Sequence, residues 1–147
     1  MTRSADILKD PQASGVYRIE GAFQLSRLEE MARAHSLTFF HVKGAEVDGK
    51  SRFLSEAAAA LTFPDYFGHN WDAFADCLTD MSWIETDGFL VLYDHADAFA
   101  GRSAEDFRTA LAILKESADF WSAQGKRFFV LLSGTGAEKW GLASITP

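Results

Sequence analysis

The sequence predicts an α/β fold: a small, mainly parallel β-sheet of three to four strands packed with helices, with an extra strand and helix at the N-terminal end. Two segments, 89–93 and 128–132, are almost wholly apolar, as strands buried on both faces are. Helical patterns alternate with strands in the order β-α-β-α-α-β-α-β, which is typical of helices that connect parallel strands. With 147 residues, 48% of them hydrophobic, the chain has the size of one domain spanning 1–147.

The first elements follow from periodicity. Residues 16–20 alternate apolar and polar side chains, which indicates a half-buried strand. From Phe23 the apolar positions follow helical spacing as far as Ala32. Residues 37–42 form the next strand, and a polar turn then runs to Gly49. An alanine-rich helix follows over 53–61.

Turn and capping residues delimit the remaining elements. Pro64 disfavours helical backbone at the residue before it, which indicates that the alanine-rich helix ends before Pro64. Asn70 is a favourable N-cap for a third helix. A longer helix runs over about 104–123, and Gly125 is placed to end it ahead of the second buried strand. The glycine-rich tail from Ser133 receives no assignment.

Acidic residues are concentrated in one part of the chain. The net charge is −7, yet residues 61–100 contain eight acids and neither lysine nor arginine. These acids are Asp65, Asp72, Asp76, Asp80, Glu85, Asp87, Asp94 and Asp97. Such a charge argues against nucleic acid as a partner, because phosphate backbones are bound through lysine and arginine. We expect a basic partner instead.

The composition also bears on compartment and cofactors. A single cysteine, Cys77, permits no intramolecular disulfide and fits a reducing environment. The N-terminus lacks the apolar run of a secretory signal, and no segment has the roughly 20 apolar residues that span a bilayer. We therefore expect a cytoplasmic protein without a membrane partner. No specific metal-ligand spacing is present, so we expect no cofactor.

The third predicted helix carries an acidic line. Its apolar positions Trp71, Phe74, Leu78 and Met81 mark the core side. Asp72, Asp76 and Asp80 follow one another at four-residue spacing. Only Asp72, in the first turn, is favoured by the helix dipole. Because like charges at this spacing and aspartate itself both disfavour helix, the pattern indicates a binding surface.

A contiguous segment around this helix resembles the barstar family. Residues 63–79 read Phe-Pro-Asp-Tyr-Phe-Gly-His-Asn-Trp-Asp-Ala-Phe-Ala-Asp-Cys-Leu-Thr. They match the family's aromatic, glycine-containing turn, which leads into a helix with two aspartates four residues apart and then Cys-Leu-Thr. The resemblance covers about 38–133 and leaves 1–37 as an N-terminal extension. It implies an inhibitor that blocks a ribonuclease active site with carboxylates in place of RNA phosphates.

The resemblance also implies roles for individual residues. Asp76 matches the family's central anchoring aspartate, and Asp72 its neighbour one turn earlier. Tyr66 matches an aromatic contact in the preceding loop, Asn70 a residue that shapes that loop, and Gly68 a point of close backbone approach.

Other predicted contact positions depart from the family or lie at the edge of the site. Ala75 stands where barstar itself has a tryptophan. The family's late-helix acid falls near Phe120, with Asp119 beside it. Asp80 and Asp119 are expected at the rim of the interface.

Two other functions remain open on the sequence. His69, Asp72 and Asp76 could form a metal site, or the loop 93–97 could be catalytic, although neither has a specific ligand spacing. Alternatively, the acidic surface could bind a basic toxin that is not a ribonuclease, as an immunity protein does, or another basic host protein.

Overall fold

One sheet organises the chain in the computed structural model, which describes residues 2–65 and 67–147. The strands are β1 (Thr2–Arg3), β2 (Gly15–Ile19), β3 (Thr38–Val42), β4 (Gly88–Tyr93), β5 (Arg127–Leu132) and β6 (Ala143–Thr146). The helices are α1 (Ser4–Ile7), α2 (Leu25–Ala34), α3 (Lys50–Leu61), α4 (Trp71–Leu78), α5 (Asp97–Arg102) and α6 (Ala104–Ala123). The strand order is β1-β6-β2-β5-β4-β3, and each described pairing is parallel. The predicted α/β class with a parallel sheet is confirmed.

The sheet is larger than the predicted three to four strands, because the described residues form six. The additional strands are β1 and β6. They contain two and four residues, which is too short for an alternating pattern to be recognised in the sequence. β6 lies in the glycine-rich tail and pairs with β2, so this tail belongs to the sheet.

Alternating strand residues divide the core between the two faces of the sheet. On one face, Phe89, Val91 and Tyr93 of β4 lie in a cluster with buried residues of α3, α4, α5 and α6. On the other face, Leu90 and Leu92 lie in a cluster with residues of α2 and the end of α1. The apolar runs of β4 and β5 are therefore covered on both sides, as predicted. The N-terminal extension, predicted as a strand and a helix, supplies β2 and the second layer.

Two predicted helix boundaries are confirmed by their hydrogen bonds. Asn70 caps α4 by accepting the Ala73 N–H at 2.8 Å. Gly125 follows α6 with φ of 74°, and the N–H of Lys126 donates back to the Trp121 carbonyl at 2.9 Å. This is a helix end closed by a residue in the left-handed region, where glycine avoids the steric penalty of a side chain.

Candidate functional site

The loop before α4 is fixed by aromatic packing. Phe67 is buried, and its ring centroid lies 5.0 Å from that of Phe63. The His69 ring packs on Phe67 at 4.7 Å, and its Nδ1 lies 3.2 Å from the Phe67 carbonyl oxygen. Gly68 is exposed between them. Tyr66, the predicted aromatic contact, lies outside the described residues.

α4 separates an apolar side from an acidic one. Phe74, Cys77 and Leu78 are buried against the core. Asp72 and Asp76 are exposed on the opposite side, one helical turn apart. A short helix with a complete apolar side has one favoured orientation on its sheet, so the two carboxylates project outward together.

Both ends of α4 are held by side-chain hydrogen bonds. At the start, the Asn70 amide oxygen accepts the Ala73 N–H, and the Asn70 Nδ2 donates to the Gly68 carbonyl at 3.4 Å. At the end, the indole N–H of Trp121 in α6 donates to the Leu78 carbonyl at 2.8 Å. The acidic side of α4 is therefore presented on a helix that is fixed at each end.

The predicted line of three aspartates is wrong at its last member, because α4 ends at Leu78, before Asp80. The Thr79 hydroxyl donates to the Ala75 carbonyl at 3.0 Å, and Met81 then adopts a left-handed φ of 49°. That reversal carries the Met81 side chain into the core. Asp80 is exposed in the resulting turn and is not part of the helix surface.

The remaining predicted contact positions lie at different distances from this surface. Ala75 is half-buried on the side of α4, next to the exposed Asp76. Asp119 is exposed on α6, roughly 200° around that helix from the Trp121 side chain that contacts α4. Gly68, Asn70, Asp72, Ala75 and Asp76 thus lie together on α4 and its leading loop, whereas Asp119 faces outward on a different helix.

The acidic segment 61–100 does not form one continuous surface. Glu85 and Asp87 lie in the turn before β4, in a depression shared with the residues that lead into β3. Asp94 follows β4 and is paired with His41, and Asp97 is the first residue of α5. The exposed charge on α4 itself consists of Asp72 and Asp76.

A second polar group occupies the carboxyl ends of β3 and β4, where the catalytic alternative placed the loop 93–97. His41 Nε2 and Asp94 Oδ2 are 2.7 Å apart, and the other carboxylate oxygen of Asp94 accepts the Gly44 N–H at 2.9 Å. Asp94 therefore joins the end of β4 to β3 through His41 and to the loop after β3 through Gly44. The Tyr93 hydroxyl is buried without a hydrogen-bond partner among the described residues, and burial followed by the charges of Asp94 and Asp97 raises its pKa.

The described residues form neither a metal-ligand cluster nor a membrane-spanning helix. Within 2–65 and 67–147, no three His, Cys, Asp or Glu side chains are grouped so that they could hold a metal ion. His69, proposed above as a ligand beside Asp72, instead packs on Phe67. No helix in that part of the chain has the length and apolar character needed to cross a bilayer.

Sequence reasoning overlooked one feature beside the acidic side chains. The ammonium group of Lys50, the first residue of α3, lies 5.6 Å from the centroid of the Trp71 ring. Trp71, which the apolar spacing places on the core side of this helix, is half-buried. A lysine at a helix N-terminus, where the dipole disfavours a cation, is the signal that could have identified Lys50.

Residues 44–51 match by letter the pattern GxxxxGK[ST] of phosphate-binding loops, between β3 and α3. In this chain the loop is committed to other contacts. The Gly44 N–H is bonded to Asp94, and the Val47 side chain is fully buried. Lys50 points to Trp71, and Glu46 and Asp48 add two carboxylates. This arrangement disfavours a bound phosphate.

Comparison with known proteins places this site in a family context. Residues 37–133 match the family model described as "Barstar (barnase inhibitor)". A protein of Bacillus subtilis (strain 168), "Putative ribonuclease inhibitor YrdF", is 39% identical over 59 residues, which cover 39% of this chain and 59% of that protein.

Solved structures resemble the fold at low identity. The ADP form of the Aeropyrum pernix ORC2 protein matches with a TM-score of 0.62 and 17% identity, over 96% of this chain and 44% of that one. CDC6P from Pyrobaculum aerophilum matches with a TM-score of 0.59 and 15% identity, over 97% of this chain and 41% of that one. The chain thus spans less than half of each structure, and at these identities the likeness concerns the fold alone.

Proposed function

The chain belongs to the barstar family, and on that premise we propose that it is a stoichiometric, non-catalytic inhibitor of a basic ribonuclease. The observation that carries the proposal is the pair Asp72 and Asp76, exposed one turn apart on a helix with both ends tied down. A ribonuclease active site holds a polyanion and is lined with cationic side chains. Two carboxylates can form charge-assisted hydrogen bonds with those cations in place of phosphates.

Fixation of α4 favours this mode of binding. A partner that meets an already ordered helix does not have to offset the loss of conformational entropy that a flexible segment would undergo. In the proposed complex Asp76 is the central contact and Asp72 its neighbour, with Gly68 and Tyr66 packing beside them and Asp80 at the rim. Asp119 faces outward, so we assign it no direct contact. The inhibitor acts in the cytoplasm, where its one cysteine stays reduced.

The test is a titration of the protein into a small secreted microbial ribonuclease of the barnase type, with RNA cleavage as readout at low and moderate salt. We expect inhibition that is complete at one equivalent and weaker at higher salt, because exposed charges are screened. Asp76→Ala should weaken inhibition at least about a hundredfold, as expected when one partner of a buried charge pair is removed.

Glu30→Ala is the matched control, since it removes one exposed carboxylate from α2, on the opposite face of the sheet. Equal losses of inhibition from Asp76→Ala and Glu30→Ala would mean that α4 contributes to binding only through the net charge of the protein. A protein that leaves RNA cleavage unchanged would shift the proposal to a different basic partner, such as a toxin that is not a ribonuclease.

A further inference from the structure

A shallow depression lies where the first turn of α3 meets the first turn of α4. It is lined by Lys50, Asn70, Trp71, Asp72, Ala73 and Asp76. The Lys50 ammonium lies 5.6 Å from the Trp71 ring centroid, within the range of a cation–π contact. The depression therefore already holds a cation, on an aromatic wall and beside two exposed carboxylates.

The Trp71 ring is held in place from behind. Its centroid lies 6.0 Å from that of Phe53 in α3 and 6.0 Å from that of Phe74 in α4. Both of these phenylalanines are buried in the core. The outer part of the indole is thus a fixed surface, and only its occupant can change.

Helix stability does not explain the position of Lys50. It is the first residue of α3, whose N-cap is Gly49 and whose first turn contains no acidic residue. A positive charge at this end is opposed by the helix dipole. The Lys50 side chain is exposed and has a flexible four-carbon stem, so its ammonium group can leave the ring and be hydrated elsewhere.

We propose that this depression is a subsite for an arginine side chain of the target, and that Lys50 occupies it in the free protein as an internal competitor. The inference rests on the proposed function for the identity of the partner. A planar, weakly hydrated guanidinium stacks on an indole better than an ammonium does and can bind a carboxylate through two hydrogen bonds. An arginine therefore displaces Lys50, whereas a lysine in the same place gains little over the residue already present.

This arrangement predicts an unusual sign for one substitution. Lys50→Met removes the competitor and should tighten binding of the inhibited ribonuclease about two- to fivefold, the size of an exposed cation–π contact. Lys43→Met is the matched control, because Lys43 is also exposed and carries the same charge but lies outside the depression. Binding constants should be compared for both variants by stopped-flow association and competition dissociation. A Lys50→Met variant that binds no more tightly than Lys43→Met overturns the proposal.

A second measurement does not require a ribonuclease. The Trp71 indole resonance of the ¹⁵N-labelled protein, assigned with Trp71→Phe, is followed while tetra-arginine or tetra-lysine peptide is added. Tetra-arginine should shift this resonance at a lower concentration than tetra-lysine, and Lys50→Met should lower the arginine midpoint further. Equal midpoints for the two peptides overturn the arginine preference. A positive peptide result with no inhibition of RNA cleavage would overturn the proposed function and leave the subsite standing.

Discussion

The indole N–H of Trp121 donates a 2.8 Å hydrogen bond to the carbonyl of Leu78, the last residue of α4. A helix ends with carbonyl groups that have no partner within the helix, and this contact satisfies one of them. It also joins the last turn of α4 to the last turn of α6. The position of the acidic side chains therefore depends on a residue more than forty positions further along the chain.

Trp121→Phe should remove that hydrogen bond while keeping an aromatic ring. We expect a loss of about 1 kcal/mol in the free energy of unfolding, the net contribution of a typical hydrogen bond, and weaker ribonuclease inhibition because α4 is less well fixed. Urea unfolding and inhibition titrations measure the two effects. Trp140→Phe, which retains an aromatic contact with Phe107, is the control and should leave inhibition unchanged.

Asp76→Ala should make the fold slightly more stable while it abolishes tight inhibition. The substitution replaces a weak helix former with the strongest one, and it removes a repulsion of about 0.2–0.5 kcal/mol with Asp72. We expect the free energy of unfolding in urea to rise by about 0.5–1 kcal/mol. A loss of stability in this variant would mean that Asp76 supports the helix and that its effect on binding is indirect.

Asn70→Ala should destabilise the protein by about 1 kcal/mol, because it removes the acceptor of the Ala73 N–H at the start of α4. Asn70→Asp is the informative companion, since aspartate caps helices about as well as asparagine. Thermal unfolding should place Asn70→Asp near the wild type and Asn70→Ala below it. If both variants lose the same free energy of unfolding, the hydrogen bond from the Asn70 amide nitrogen to the Gly68 carbonyl contributes more to stability than the helix cap does.

Two glycine-to-alanine substitutions should have opposite effects. A Cβ at Gly44 would lie 2.0 Å from the Asp94 carbonyl oxygen, so the loop after β3 or the backbone after β4 must move. We expect Gly44→Ala to cost about 2–3 kcal/mol through overpacking. Gly101 in α5 has open space around it, and Gly101→Ala should add up to about 1 kcal/mol of helix stability. Urea unfolding of the two variants measures both changes in the free energy of unfolding, and similar changes would contradict the prediction.

Stability should fall at alkaline pH partly through Cys77. Burial, and then the charges of Asp80 and Asp76, raise the pKa of its thiol in the folded protein. As pH rises above about 8.5, the unfolded chain releases the thiol proton while the folded chain retains it. The contribution of Cys77 is therefore present below that pH and is lost above it. Cys77→Ala should show a smaller decrease in the free energy of unfolding between pH 8 and 9.5, and identical slopes would contradict the assignment.

Much of the fold was predictable because its signals are local. Three signals each predict one local structure independently of distant residues. They are the continuous apolar runs of β4 and β5, the cap at Asn70 and the helix-ending Gly125. β1 and β6 are too short to carry a pattern. α5 was missed for the same reason, since its six residues make fewer than two helical turns.

The site was predictable in its centre and less so at its edges. Asp72 and Asp76 could be placed on one side of a helix by spacing alone. Asp80 could not, because the end of α4 depends on burial of Met81 and on the hydrogen bond from Trp121, both of which are tertiary. The contact between Lys50 and Trp71 joins two helices that are separated by the aromatic loop, and no periodicity encodes such a contact.

The layer formed by α1 and α2 has a consequence for how this protein can change. The sheet separates that layer from α4, so residues on one side contribute mainly to stability and residues exposed on the other contribute mainly to target binding. Substitutions beneath α2, at Leu28 or Ala32, should alter solubility and lifetime without altering target choice. Substitutions of the exposed α4 side chains Asp72 and Asp76 should alter target binding with little loss of stability. Stability and binding specificity can therefore be changed separately within one chain of this size.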